Sequence, residues 1–420
     1  MVHPRLRPDH GRGHKTKASL FVLSLAIFAI VVLLEEVTQS RNTTAGNQRN
    51  ANFKQAGDGS YMNVRDDSEV EEDCLQFGCP IYPAELTPEV YSYLKASIVR
   101  NKHQNYPFAN ENMLIVTQQG ASHHENQDRA SIIDPFMISS SSKNVVINGT
   151  LICLFDGHGV QGHIVASHVL HEFPKLLASK LEALRMSEDH EVPDAIIIQM
   201  LKESFVEVDI YGTPNFLLGG TTGSVTLRLG SKLYIANVGD SQTMVFSMPN
   251  NGTTIRTTAG PLQDVDIRFA TRKDKALLPD ERDRIEKLGG KIHVNPHSNE
   301  SVVVVYSVAA RDTIMLAMSR SIGDWEWKVV GVTAEPLVDV VHLNQLPPNS
   351  FLMAASDGVW DVRRKQFYGK QFGECFFPIE GHSGGGSVHP LAKGLEVFET
   401  ITPKVQKGYR DDMTAILLAL

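Results

Sequence analysis

Seven apolar runs of strand length recur between residues 113 and 420, and they limit the architecture of this chain more than any other feature. They are Met113–Val116, Leu151–Phe155, Val225–Leu229, Lys232–Val238, Val302–Tyr306, Phe351–Ala355 and Thr414–Leu420, each short and rich in aliphatic or β-branched side chains. Between them, helical patterning is predicted over about 160–186 and 194–211. A shorter helix starts at Pro279 and stops at Gly289-Gly290, a pair that ends helices, and a last one covers about 391–406. Strands adjoining as hairpins, with helices bunched between sets, predict a layered α+β fold with antiparallel sheets rather than regular βαβ alternation. No internal repeat interrupts this order.

The bulk composition agrees with a folded domain. Of 420 residues, 42% are hydrophobic and 21% charged, which excludes a disordered chain, a collagen and a many-pass transporter as the whole answer. The net charge is −8, with no long basic run after the first seventeen residues, so nucleic acid is not an expected partner. The four cysteines (Cys74, Cys79, Cys153 and Cys375) fit neither a dense disulfide framework nor a CxxC zinc site. Cys153, inside an apolar strand, reads as core packing.

The N-terminal quarter reads differently. Residues 1–17 form a basic tail carrying Arg5, Arg7, Arg12, Lys15 and Lys17, and residues 18–34 carry no charge before Glu35-Glu36. At about 1.5 Å per residue this stretch is at the short end of what spans a hydrocarbon layer of about 30 Å, and the basic flank favours a cytoplasmic N-terminus. The expectation is a single-pass signal anchor with the remaining chain luminal or extracellular. A cleaved signal peptide is the competing reading, although its apolar region is usually about 7–15 residues and no A-x-A site follows here. Residues 35–111 are mostly polar and aperiodic and read as a stalk or linker leading to a folded domain at 112–420. If that side were luminal, Cys74 and Cys79 could close a small loop, and Asn42, Asn148, Asn251 and Asn299 would be glycan acceptors.

Several runs end in aspartate followed by small residues. Asp156 stands in Leu154-Phe155-Asp156-Gly157-His158-Gly159, Asp240 in Val238-Gly239-Asp240-Ser241, and Asp357 and Asp361 in Ser356-Asp357-Gly358-Val359-Trp360-Asp361; Asp128 and Asp411 each precede a strand. One such Asp is ordinary turn chemistry. With strands side by side, however, the carboxylates converge at one end of the sheets, where unpaired acids repel and require cations. Oxygen-only ligation suits Mg²⁺ or Mn²⁺.

These residues carry a resemblance. Glu125-Asn126-Gln127-Asp128, Asp156-Gly157-His158-Gly159, Gly219-Gly220-Thr221-Thr222, Gly239-Asp240-Ser241, Glu281-Arg282-Asp283-Arg284-Ile285 through Gly289-Gly290, Ser319-Arg320-Ser321-Ile322-Gly323-Asp324, Ala355 through Asp361, and Asp411-Asp412-Met413-Thr414 stand in the order of the protein phosphatase 2C family, which this chain resembles over about residues 112–420. The resemblance implies a four-layer sandwich of two antiparallel β-sheets flanked by α-helices. It also implies hydrolysis of phosphoserine and phosphothreonine through metal-activated water at a bimetal centre. Asp156 would bridge two ions, the Gly157 carbonyl would complete one shell, Asp357 and Asp411 would hold the first ion, and Asp128 would reach the centre through water. Asp240 and Asp361 match positions for a third, weaker ion. His158 matches the general acid for the departing oxygen. The implied partner is a phosphoprotein substrate, met by a monomeric enzyme.

The chain also departs from the family pattern. His123 stands where Arg or Lys usually grips the substrate phosphate, with Arg129 and Arg320 as other cations for that role. Gln127 replaces a frequent Glu, Asp412 replaces a common Asn and adds negative charge, and Phe367 to Gly386 is Gly-rich where a regular helix is expected. The alternative reading is a catalytically silent phosphoprotein-binding relative of the same fold. A nucleotide-binding enzyme is disfavoured, because Gly219–Gly223 lacks the Gly-Lys-Ser/Thr of a phosphate loop and reads as a turn before the strand at 225.

Overall fold

The computed structural model describes residues 108–109, 112–120, 125–139, 146–183, 192–248, 265–307, 310–377, 397 and 411–420. In chain order the elements begin with β1 (Phe108–Ala109), β2 (Met113–Gln118), β3 (Asp128–Ser139), β4 (Val146–Gly159), α1 (Gly162–Ala183) and α2 (Asp194–Ile210). Next come β5 (Gly219–Thr221), β6 (Gly223–Leu229), β7 (Lys232–Val238), β8 (Gln242–Ser247), β9 (Asp266–Ala270), α3 (Pro279–Lys287), β10 (Lys291–Val294), β11 (Ser301–Ser307) and β12 (Asp312–Leu316). The chain ends with β13 (Ile322–Gly323), α4 (Trp325–Lys328), β14 (Leu337–His342), β15 (Ser350–Ala355), α5 (Asp357–Trp360), α6 (Lys365–Phe376) and β16 (Met413–Ala419).

One antiparallel sheet has the order β1-β2-β16-β15-β8-β9, and a second has β13-β5-β4-β6-β7-β14 with β3 also paired to β4. Side-chain alternation explains why the predicted runs are continuously apolar. In β15, Leu352 and Ala354 pack between the two sheets while Phe351, Met353 and Ala355 face outward onto α6; in β4, Ile152 and Leu154 face the other sheet while Leu151, Cys153 and Phe155 face α1 and α2. Both faces of each central strand are covered, so both need apolar residues. The layer order is helix, sheet, sheet, helix.

Helix α1 buries Val165, Val169, Phe173, Leu177 and Leu181, and α2 buries Ile197, Leu201, Phe205 and Val208, a spacing of three to four residues that puts each set on one face. Both helices start and stop within a few residues of their predicted limits. Lys365–Phe376 is helical despite its glycines. Gly219–Thr221 is a strand rather than a turn, pairing with Gly157–Gly159 on one side and Ile322–Gly323 on the other. A third small sheet, β10-β11-β12, sits on its own core of Ile285, Val303, Leu316 and Trp327.

The expectation of a single-pass membrane protein is corrected. Among the described residues no helix is long and apolar enough to cross a membrane, because the long helices are apolar only along the face packed on the sheet. Residues 18–34, Cys74, Cys79, Asn42, Asn251, His123 and most of the predicted helix at 391–406 lie outside the described residues.

Candidate active site

Two strand pairs build the site. Asp128 opens β3 directly opposite Asp156 in β4, so the register brings both carboxylates to one end of a sheet. On the facing sheet, Asp357 follows β15 and Asp411 precedes β16. These two segments are tied by Ser356, whose N–H donates to Thr414 O (3.0 Å) and whose Oγ accepts the Thr414 N–H (3.0 Å). The Ser356 hydroxyl also donates to Asp128 Oδ2 at 2.9 Å, linking one sheet to the other. Asp128 is buried, and its other oxygen, Oδ1, has no hydrogen-bond partner.

The acids perturb one another. Burial, opposed by the Thr414 and Ser356 hydroxyls and reinforced by Asp412 and Asp411, pushes the Asp128 carboxyl up to about 7. Burial and then Asp128, Asp357, Asp240 and Asp411 hold Asp156 well above the ordinary carboxylate range. Asp357 is likewise pushed up to about 7 by burial and by Asp240, Asp411 and Asp361, against Lys273. Asp411, at the exposed rim, is raised by desolvation and by neighbouring acids, opposed by the Asp412 amide.

Among the described residues, no three His, Cys, Asp or Glu side chains are already closed into a metal shell. The cluster nonetheless fits hard divalent cations. Its donors are oxygens, one of them is buried without a partner, and each charged form is disfavoured until positive charge arrives. Gly157 belongs to the same construction, since a Cβ there would lie 2.6 Å from Gly162 O and 2.8 Å from Gln127 O. Only glycine lets the three segments meet.

His158 faces Asp324, with Nε2 2.7 Å from Oδ2, and its Nδ1 is buried without a partner. Burial lowers the imidazole pKa, but the charge and hydrogen bond of Asp324, with Asp240 and Asp357 behind it, together outweigh burial and the net shift is upward. Asp324 is held in a left-handed conformation, φ 52°, immediately after β13. Gly220 gives it room, because a Cβ on that residue would sit 2.2 Å from Asp324 Oδ2.

The remaining predicted residues have other partners. Asp240 Oδ2 accepts Lys275 Nζ at 2.6 Å, and Asp361 Oδ1 accepts Lys273 Nζ at 2.7 Å. Arg320 donates from Nε and one terminal nitrogen to buried Glu281 (2.9 and 2.7 Å). Arg129 is spent on Ser167, the Asn126 and Asp128 carbonyls and Glu125. Neither guanidinium is free for a phosphate in this arrangement.

Asp412 accepts the Gly120 N–H at Oδ1 (2.6 Å) and the Gln127 N–H at Oδ2 (2.7 Å). An Asn could supply only one of these acceptors. Asp412→Ala should therefore lower the unfolding free energy by about 1–3 kcal/mol, as two backbone donors lose their acceptor. A urea midpoint equal to wild type at unchanged slope would show that these two amides are satisfied without it.

Sequence reasoning missed Lys273 and Lys275 entirely and quoted Asp324 without a role. The run Arg272-Lys273-Asp274-Lys275 looks like any solvated charged loop, and its partners lie 35 and 88 residues away.

Comparison with known proteins follows the same direction. A family model described as Protein phosphatase 2C matches residues 116–368. A relative from Oryza sativa subsp. japonica named "Probable protein phosphatase 2C 64" is 31% identical over 256 residues, covering 60% of this chain and 54% of that protein. "Probable protein phosphatase 2C 61" of Arabidopsis thaliana is 28% identical, covering 51% and 60%. The chain thus spans little more than half the length of these relatives. Among solved structures, the serine-threonine phosphatase 2C from Toxoplasma gondii superposes with a TM-score of 0.57 at 18% identity, covering 74% of this chain and 96% of that one. A sex determining protein of C. elegans gives 0.50 at 17%, covering 74% and 65%. At such identity these two structures speak for the fold alone.

Proposed function

The chain belongs to the protein phosphatase 2C family, and on that premise we propose that it hydrolyses phosphoserine and phosphothreonine esters in proteins, with residues 112–420 as the catalytic domain. The observation that carries this reading is the gathering of Asp128, Asp156, Asp357 and Asp411 from separate segments, with carboxyls raised by burial and mutual repulsion. Asp156, Asp357, Asp411 and the Gly157 carbonyl would hold two Mg²⁺ or Mn²⁺ ions, and Asp128 would reach the centre through water. When bound, the cations supply Lewis-acid activation of water and neutralise charge on the phosphoryl oxygens.

The chain's own groups supply the rest. His158 holds a proton for the departing serine or threonine oxygen. Its Nε2 lies 2.7 Å from Asp324 Oδ2, and that contact orients the ring for the transfer. Asp324 favours the protonated ring, which an acid needs before it acts. His123 takes the substrate phosphate in this reading, since Arg129 and Arg320 are committed elsewhere. Nothing in the fold or the comparisons favours the catalytically silent alternative.

The test is phosphate release from a phosphothreonine peptide by the purified full chain. Release should require Mn²⁺ or Mg²⁺, stop on chelation and return when metal is added back. Turnover that persists in chelator, or peptide binding with no release in saturating Mn²⁺, would overturn the reading.

A further inference from the structure

Residues 271–276, between β9 and α3, run beside the acids of the site, and they are fixed there by Asp274, a fully buried carboxylate. The Asp274 N–H donates to Gly239 O (2.9 Å), the Gly239 N–H donates back to Asp274 Oδ2 (3.1 Å), and the Ser319 N–H donates to Asp274 O (2.9 Å). Arg272 closes on Oδ1 from Nε and a terminal nitrogen, both at 3.3 Å. Gly239 is the residue before Asp240, so this pin registers the loop against Asp240 itself.

The residues on either side of the pin are both lysines. Lys275 Nζ donates to Asp240 Oδ2 (2.6 Å) and to the carbonyl of Ala317 (3.2 Å), and Lys273 Nζ donates to Asp361 Oδ1 (2.7 Å). The Asp240 side chain is 3% exposed, whereas that of Asp361 is 66% exposed. The Lys275 side chain is itself 37% exposed, so only the carboxylate of the first pair is shielded, but that pair still carries more weight than the second, whose carboxylate is exposed.

Asp240 and Asp361 are the two acids matched to a third, weaker cation. Each is in direct contact with an ammonium group of the chain. An oxygen-bound divalent ion sits about 2.0–2.6 Å from its ligand, and at Asp240 it would meet a like charge already within hydrogen-bond distance of that carboxylate and tethered to a second acceptor. The donor set does not fit a third ion.

We propose that Lys275, assisted by Lys273, is a built-in replacement for the third cation, so that the chain binds two divalent ions and neutralises Asp240 and Asp361 with its own ammonium groups. This rests on the two-metal reading of the site. It deepens that reading by making the ion count a property of one pinned loop.

The test counts Mn²⁺, used alone as probe, by equilibrium dialysis against the full chain. The wild type should saturate at two ions, and Asp240→Asn should leave two. Lys273→Gln/Lys275→Gln should bind a third, lost again when Asp240→Asn is added. Thermal unfolding supplies a second readout: without metal the double variant should melt below wild type, and millimolar Mn²⁺ should raise its melting temperature by more than it raises that of wild type. A wild type that binds a third Mn²⁺ and loses it in Asp240→Asn overturns the lysine assignment but leaves the two-metal reading standing. A double variant that still stops at two overturns it as well. A wild type that binds no Mn²⁺, with Asp156→Asn indistinguishable from it, overturns the two-metal reading and the lysine inference with it.

Discussion

Asp156→Asn should lower kcat at least a hundredfold while leaving the metal-free protein more stable than wild type. Asp156 lies at the centre of the cluster, with Asp128, Asp357, Asp240 and Asp411 all acting on its carboxyl, so removing its charge removes the donor on which the cations most depend. A hundredfold loss is about 2.7 kcal/mol of transition-state stabilisation. Asn keeps the shape, and the Asp156 backbone still pairs with Thr222, whose hydroxyl accepts its N–H (3.1 Å) and whose N–H donates to its carbonyl (2.9 Å). Without cations the substitution relieves repulsion, so the melting temperature in chelator should rise. Steady-state kinetics at saturating Mn²⁺ and a thermal melt in chelator give both readings. Unchanged kcat would remove Asp156 from the chemistry, and a lower melting temperature would mean that the carboxylates do not repel in the metal-free fold.

The second large effect is a loss of metal-free stability as pH rises from 5 to 8. Asp128 and Asp357 are pushed up to about 7 in the fold from an ordinary 3.8. Between these values the folded chain binds more protons than the unfolded one, so stability falls as pH climbs from about 4 to about 7 and stays low above that. The shift at buried Asp128 alone corresponds to roughly 4 kcal/mol, shared in practice among acids that titrate together. His158 acts in the same sense, because its raised pKa contributes stability that is full below about 6.5 and lost as pH rises through the folded value. Glu281 does not oppose this: opposed by burial but held at about 2 by Arg284, Arg320 and Ser319, its contribution is present throughout pH 5–8 and disappears only in strong acid. The chelated protein should therefore melt several degrees lower at pH 8 than at pH 5, and Mn²⁺ should recover more of the difference at pH 8, where the acids are ionised. Equal melting temperatures at the two pH values, or a higher one at pH 8, would contradict the raised carboxyls.

Local pattern determined a good deal of this protein. The spans of α1 and α2 follow from apolar residues three to four apart, and β7, β15 and β16 from short, mostly apolar runs, because such patterns are a property of neighbouring residues and need no partner to be seen. The acids were legible for a related reason: most stand at or near a strand end, and their order along the chain matches a known family. The tertiary structure decided what those patterns could not express. β5 lies between β4 and β13 because Gly219–Thr221 finds partners on both sides, although three glycine-rich residues have no strand signal of their own. No described helix crosses a membrane, because the long helices cover a sheet with one face only. The roles of Asp324, Asp412, Lys273 and Lys275 arise from contacts between residues 35 to 292 positions apart, where the energy of a carboxylate depends on which charges and amide donors the fold brings to it. A charge in the sequence has a sign but no neighbours until the chain folds, and at this site the neighbours set the chemistry.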